Sequence, residues 1–250
     1  MKKKIIVFVV LLCMMVGVHI YTKPKGSIPI LGYHGVVKDD EKKTVYRNDA
    51  YILSESQFLK QMDYLKNKGY RTLSMDELDA FYEQGIDFGK KLVCLTFDDG
   101  YKNFNTVVKP IMEEYGFKAT CFVIGKHLED SNDAFLKLDE CINTENVAYY
   151  SHSYNLHRKG YNFDQKIIET MTMDEIDNDF KQFPLDSSYF AFPYGRSVKG
   201  IGNVLEQNNV KLAFLYNQFH DMTSKDSRYA LPRYLICSYT PYCLYRYIVS

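Results

Sequence analysis

From Ile28 onward, short apolar runs alternate with longer segments whose apolar positions recur at helical spacing. Residues 28–34 (IPILGYH) form an apolar run that stops at His34. The next stretch, SESQFLKQMDYLKNKGY, opens with Ser54 and Gln57 as a capping box. It carries Phe58, Met62 and Leu65 on one helical face and ends at Gly69. SMDELDAFYEQG repeats that grammar, with Ser74 and Glu77 at the start and Gly85 at the end. Strands are then predicted at KLVCLTF, KATCFVIG, NVAYYSH, SYFAF and VKLAFLYN, and at a late run around LPRYLICSY. Helices are predicted at NFNTVVKPIMEEYG, TMDEIDNDFKQF and IGNVLEQNN.

Strands separated by single helices imply parallel pairing with helical crossovers. The unit recurs about six or seven times without sequence repeats, which suits a distorted (β/α) barrel of about seven parallel strands better than an open doubly wound sheet. No Gly-rich phosphate loop follows any strand, so a dinucleotide fold is excluded.

The first 25 residues follow a different pattern. Lys2 to Lys4 precede the apolar run Ile5 to Val18, and a polar linker TKPKGS follows. No small-x-small cleavage site follows the run. The expectation is residues 1–25 as an uncleaved single-pass membrane segment and linker, with 26–250 as one catalytic domain outside the cell; cleavage would make the protein secreted.

With 250 residues, 46% of them hydrophobic, one domain can bury a sizeable core. Lys plus Arg (31) balance Asp plus Glu (31), so no basic surplus points to nucleic acid. Cys13 lies in the apolar leader, which leaves five cysteines and no C-x-x-C pair, so a structural zinc site of that kind is excluded.

Polar residues gather where the predicted strands end: His34, the pair Asp98-Asp99, His152, and Pro193-Tyr194-Gly195. In parallel β/α folds, that end carries the active site. Two adjacent carboxylates need a positive partner, and SHSYNLHR supplies it. His152 and His157 are five residues apart, roughly 140° around a helix and opposite faces of a strand. They converge only if His152 ends a strand and His157 lies across a turn. Two imidazoles and one carboxylate make an open site for zinc or a similar divalent ion, with the other aspartate left free as a base.

Together these motifs resemble the polysaccharide deacetylase family, carbohydrate esterase family 4. T-F-D-D-G stands unaltered at Thr96 to Gly100, and HSYNLH is similar to the family's histidine motif, with the spacing of the poly-β-1,6-N-acetylglucosamine deacetylases. The resemblance implies Asp98 as the base, Asp99, His152 and His157 as ligands of one divalent ion, zinc first, and the Tyr194 N–H as oxyanion donor. It implies a metal-dependent hydrolase that removes N-acetyl groups from an N-acetylglucosamine polymer at the cell surface. Two departures stand out. Ala191 occupies the place of the arginine that steadies the base, so Arg233 in LPRY is the expected substitute and Arg196 its rival. The C-terminal L-x-H that supplies the general acid is missing, which leaves His34 and His220 as candidates. A glycan-binding domain without turnover and a metal phosphoesterase are the alternative readings.

Overall fold

The computed structural model describes residues 26–158 and 166–250. The expected membrane segment therefore lies outside the described residues, and among those described no helix is long and apolar enough to cross a membrane.

Among the described residues ten strands are formed: β1 (Ile30–Tyr33), β2 (Gly35–Val37), β3 (Ile52–Ser54), β4 (Arg71–Thr72), β5 (Leu92–Phe97), β6 (Ala119–Val123), β7 (Val147–Ser151), β8 (Tyr189–Ala191), β9 (Leu212–Tyr216) and β10 (Leu231–Leu235). Seven of them close a ring, in the order β1-β10-β9-β8-β7-β6-β5 and back to β1, and every pairing is parallel. The expected seven-stranded β/α barrel is observed. β4 is an addition: Arg71 and Thr72 pair with Leu92 and Val93 at the start of β5, and β1 takes over the same edge from Cys94. β2 and β3 pair with each other outside the ring. These three strands are two or three residues long, too short for an apolar period to announce them.

The helices begin where the capping residues predicted. Ser54, Ser74 and Thr172 accept from the backbone N–H three residues on, and Gln57, Glu77 and Glu175 return the bond. The segment expected as one helix from Asn103 differs. It opens as a π-helical turn, Phe104–Val108, and becomes α-helical only over Lys109–Tyr115. Pro110 has no N–H to donate to the preceding turn, and the widened turn falls just before it.

Alternation along the strands sorts the side chains into two layers. Leu31, Tyr33, Val93, Leu95, Phe97, Cys121 and Tyr149 pack outward with the helical Phe58, Met62 and Leu65 in one buried cluster. Ile30, Cys94, Phe122, Tyr150, Ala191, Phe214 and Leu231 fill the barrel interior in another. Continuing the inward series by two residues leads from Cys94 through Thr96 to Asp98, and from Tyr150 to His152. It also leads from Ile30 through Gly32 to His34, from Phe214 to Tyr216, and from Leu231 to Arg233. Polar chemistry thus begins where the apolar fill of the barrel stops. Cys94 and Cys121, the two cysteines inside strands, are free and fully buried.

Candidate active site

A cavity of about 510 Å³ opens at the C-terminal end of the barrel. Asp98, Asp99, His152, His157, Tyr194 and His34 all line it. Arg233 lies beneath them in β10, with 0% of its side chain exposed.

Asp98 is fixed from several sides. Its backbone N–H donates to Tyr33 O at 2.9 Å, continuing the β5–β1 ladder. Arg233 donates Nη1 to Oδ1 at 2.7 Å and Nη2 to Oδ2 at 2.8 Å, a planar fork on both oxygens. Arg233 Nη1 also reaches Thr96 Oγ1 at 3.1 Å, which ties the guanidinium to the strand that carries Asp98. Burial works against the charge on Asp98, but the Arg233 guanidinium overrides it and holds the carboxyl well below the usual carboxylate range. Arg233, expected in place of the arginine absent at Ala191, therefore contacts Asp98. The rival Arg196 is exposed and lines the cavity wall instead.

Tyr216, the last residue of β9, was not singled out in the sequence. Its hydroxyl donates to Asp98 Oδ2 at 2.8 Å, and the Arg233 guanidinium lies 4.5 Å from its ring centroid. The available signal was positional: a residue with a polar tip at the end of LAFLY, on the inward parity of its strand.

Asp99 follows Asp98 directly and would point away from it on a regular strand. Its φ of +74° turns the backbone so that both carboxylates face the cavity. Asp99 Oδ1 lies 3.5 Å from His152 Nε2 and 3.5 Å from His157 Nε2. As expected, His152 follows the end of β7 and His157 lies across the turn, where Ser153 takes a φ of +73°. His152 Nδ1 lies 2.8 Å from Ala191 O, a carbonyl that only accepts, so Nδ1 carries the proton and Nε2 presents its lone pair.

The donor set fits a divalent ion. Burial lowers the pKa of both imidazoles, His152 to about 3, so they stay neutral, the form that ligates. Burial, with repulsion from Asp98, pushes Asp99 up to about 6 against the pull of His34. Asp99 Oδ1 is buried without a hydrogen-bond partner among the described residues, and the His152 Nε2 that it faces presents a lone pair that cannot donate to it. Acceptors turned on one another are costly until a cation sits between them. Their 3.5 Å separations match the edge of a tetrahedron around an ion with bonds of ~2.1 Å. The three donor atoms lie within 4.8 Å of one another.

The remaining candidates divide. The His34 ring lies 4.8 Å from Tyr51, and its Nδ1 is buried without a partner among the described residues. Tyr194 sits in a turn with φ of +58°, its ring stacked 4.3 Å from His157 and Lys166 Nζ 4.3 Å from its centroid. His220 is a correction. It does not line the cavity, and its Nε2 is engaged with Asp226 Oδ1 at 2.9 Å in the loop between β9 and β10. That loop folds on itself, with Asp226 Oδ2 also accepting from Thr223 N.

Residues 85–213, more than half of the chain, match the family model described as polysaccharide deacetylase. The chain belongs to the polysaccharide deacetylase family. His34 and Tyr216 on the cavity wall, and Arg233 beneath it, lie outside the matched stretch, so the family match does not cover them. The poly-beta-1,6-N-acetyl-D-glucosamine N-deacetylase of Staphylococcus epidermidis is 24% identical over 233 residues, covering 85% of this chain and 80% of that protein. Bacillus subtilis YxkH is 26% identical over 179 residues, and the chain spans only 60% of its length. Among solved structures, Streptococcus pyogenes deacetylase PplD in complex with acetate superposes with a TM-score of 0.74. The identity is 24%, and the match covers 90% of this chain and 98% of that one. IcaB from Ammonifex degensii gives 0.74 at 18% identity, covering 90% and 97%. At these identities the two structures establish that the family member shares their fold.

Proposed function

We propose that this protein is a metal-dependent de-N-acetylase acting on an extracellular β-linked N-acetylglucosamine polymer. The observation that carries the reading is one cavity that holds both an arginine-clamped carboxylate and a three-donor cluster suited to a cation. Asp99, His152 and His157 would hold the ion, zinc first. When bound, it would polarise the acetyl carbonyl and lower the pKa of a water from 15.7 towards ~7.

The chain's own groups supply the rest. Asp98, kept ionised by Arg233, takes a proton from the attacking water as its oxygen bonds to the carbonyl carbon. The Tyr194 backbone N–H donates to the oxyanion that develops, a contact worth about 3 kcal/mol in rate terms. His34 delivers a proton to the nitrogen as the C–N bond breaks, releasing acetate and leaving a glucosamine amine. Its place on the cavity wall supports His34 for this step over His220.

The staphylococcal relatives' names and the His152–His157 spacing favour a β-1,6-linked substrate. Binding without turnover drew support from the missing arginine and the missing C-terminal histidine, and Arg233 and His34 offer an answer to each. The reading is tested by acetate release from zinc-loaded protein on β-1,6 and β-1,4 N-acetylglucosamine oligomers. Turnover of the β-1,6 series is expected. No acetate from either series, with metal content verified, would leave glycan binding as the function.

A further inference from the structure

We infer that Tyr216 is a positioning residue that selects which oxygen of Asp98 receives the proton; this rests on Asp98 being the base. A carboxylate offers about four acceptor sites, two on each oxygen. Oδ2 has both of its sites filled, by Arg233 Nη2 at 2.8 Å and Tyr216 Oη at 2.8 Å. Oδ1 accepts from Arg233 Nη1 at 2.7 Å and, among the described residues, has no second hydrogen-bond partner, while Asp98 lines the cavity. A water's proton can therefore be accepted at Oδ1 without breaking an existing bond, whereas acceptance at Oδ2 requires one to break. The arginine alone treats the two oxygens alike. The phenol makes them different.

The ring is held so that it can do this. Tyr216 and Arg233 are register partners on β9 and β10, which sets the guanidinium against the phenol face. On its other sides stand two glycines from separate elements. A Cβ at Gly32 in β1 would lie 2.6 Å from both Cε1 and Oη of Tyr216, and one at Gly195 would lie 2.4 Å from Cδ2. Both distances are well inside contact, so these glycines are the space that the ring occupies. Phenylalanine would fill the same slot but could not donate to Oδ2, which separates aiming from packing.

The test measures steady-state kinetics of the zinc-loaded enzyme on an N-acetylglucosamine oligomer for Tyr216→Phe, Gly32→Ala, the double variant and Asp98→Asn. Tyr216→Phe is expected to lower kcat about tenfold or more, the effect of one hydrogen bond to a charged group, with KM and bound zinc unchanged. Gly32→Ala, which displaces the phenol without removing it, is expected to lower kcat similarly. Added to Tyr216→Phe, it should cost little more, because the donor that it displaces is already gone. A wild-type kcat for Tyr216→Phe beside an inactive Asp98→Asn would overturn the inference and leave the base assignment standing. Equal kcat losses from Gly32→Ala in both backgrounds would overturn it too, by assigning the slot to packing alone. An active Asp98→Asn enzyme would instead remove the reading on which the inference rests.

Discussion

Arg233 holds Asp98 by both carboxylate oxygens, at 2.7 and 2.8 Å, across 135 positions of sequence and with both side chains almost wholly buried. A carboxylate at the end of a strand and a guanidinium from inside a barrel are each costly to bury alone, and each offsets part of the other's penalty. The fork fixes the plane of the Asp98 carboxylate as well as its charge.

Arg233→Lys tests the plane. A lysine supplies the charge from one point and cannot bond both oxygens. Turnover is expected to fall about 100-fold, with zinc content and cooperative unfolding retained. A near-normal rate would show that charge alone suffices at this position.

Removing His152 tests the donor cluster. Asp99 and His157 alone leave too few ligands, so His152→Ala protein should lose bound zinc on dialysis while the wild type keeps about one equivalent. Elemental analysis after gel filtration decides the matter, and full retention by the variant would dismiss the assignment.

Asp99 should set a pH dependence in the metal-free protein. Its folded pKa of about 6 lies above the ordinary carboxylate value, because burial disfavours the charge. A raised pKa gives stability that is present below the unfolded value and lost as pH rises through the folded one. In chelator, Asp99→Asn should therefore gain on the wild type as pH rises from about 4 to about 6, by on the order of 3 kcal/mol, and then level off. Excess zinc should reverse the order at pH 7, because binding stabilises only the chain that keeps its ligand. Melting curves at several pH values, with and without zinc, would expose a gap that stays constant with pH.

His34 can be separated from the base by the choice of leaving group. A glucosamine amine needs a proton to depart, whereas a nitrophenolate does not. His34→Gln should lose about 100-fold on an N-acetylglucosamine oligomer yet keep most of its activity on 4-nitrophenyl acetate. Equal losses on both substrates would argue against proton delivery by His34.

The lysine-flanked run at residues 2–18 is tested by fractionation. The full chain is expected to remain with membranes through carbonate washing, and a chain beginning at Gly26 to be soluble and active. A shortened protein in the medium would indicate cleavage.

The sequence by itself determined the barrel and the end of it that carries the chemistry. Apolar runs separated by capped helices dictate parallel strands, and the period of two along each strand sends Asp98, His152 and His34 inward beyond the last apolar layer. Helix starts at Ser54, Ser74 and Thr172 were legible because capping is a local exchange of hydrogen bonds within four residues. Tertiary structure decided which residues meet. Only closure of the ring brings Arg233 on the tenth strand to Asp98 just beyond the fifth and sets Tyr216 beside both. Only the backbone at Asp99, with φ of +74°, lets two adjacent carboxylates face one cavity, and only the folded β9–β10 loop withdraws His220 from it. Parity and capping are properties of a few neighbouring residues; these meetings depend on the barrel's closure and on loop conformations that no local period encodes.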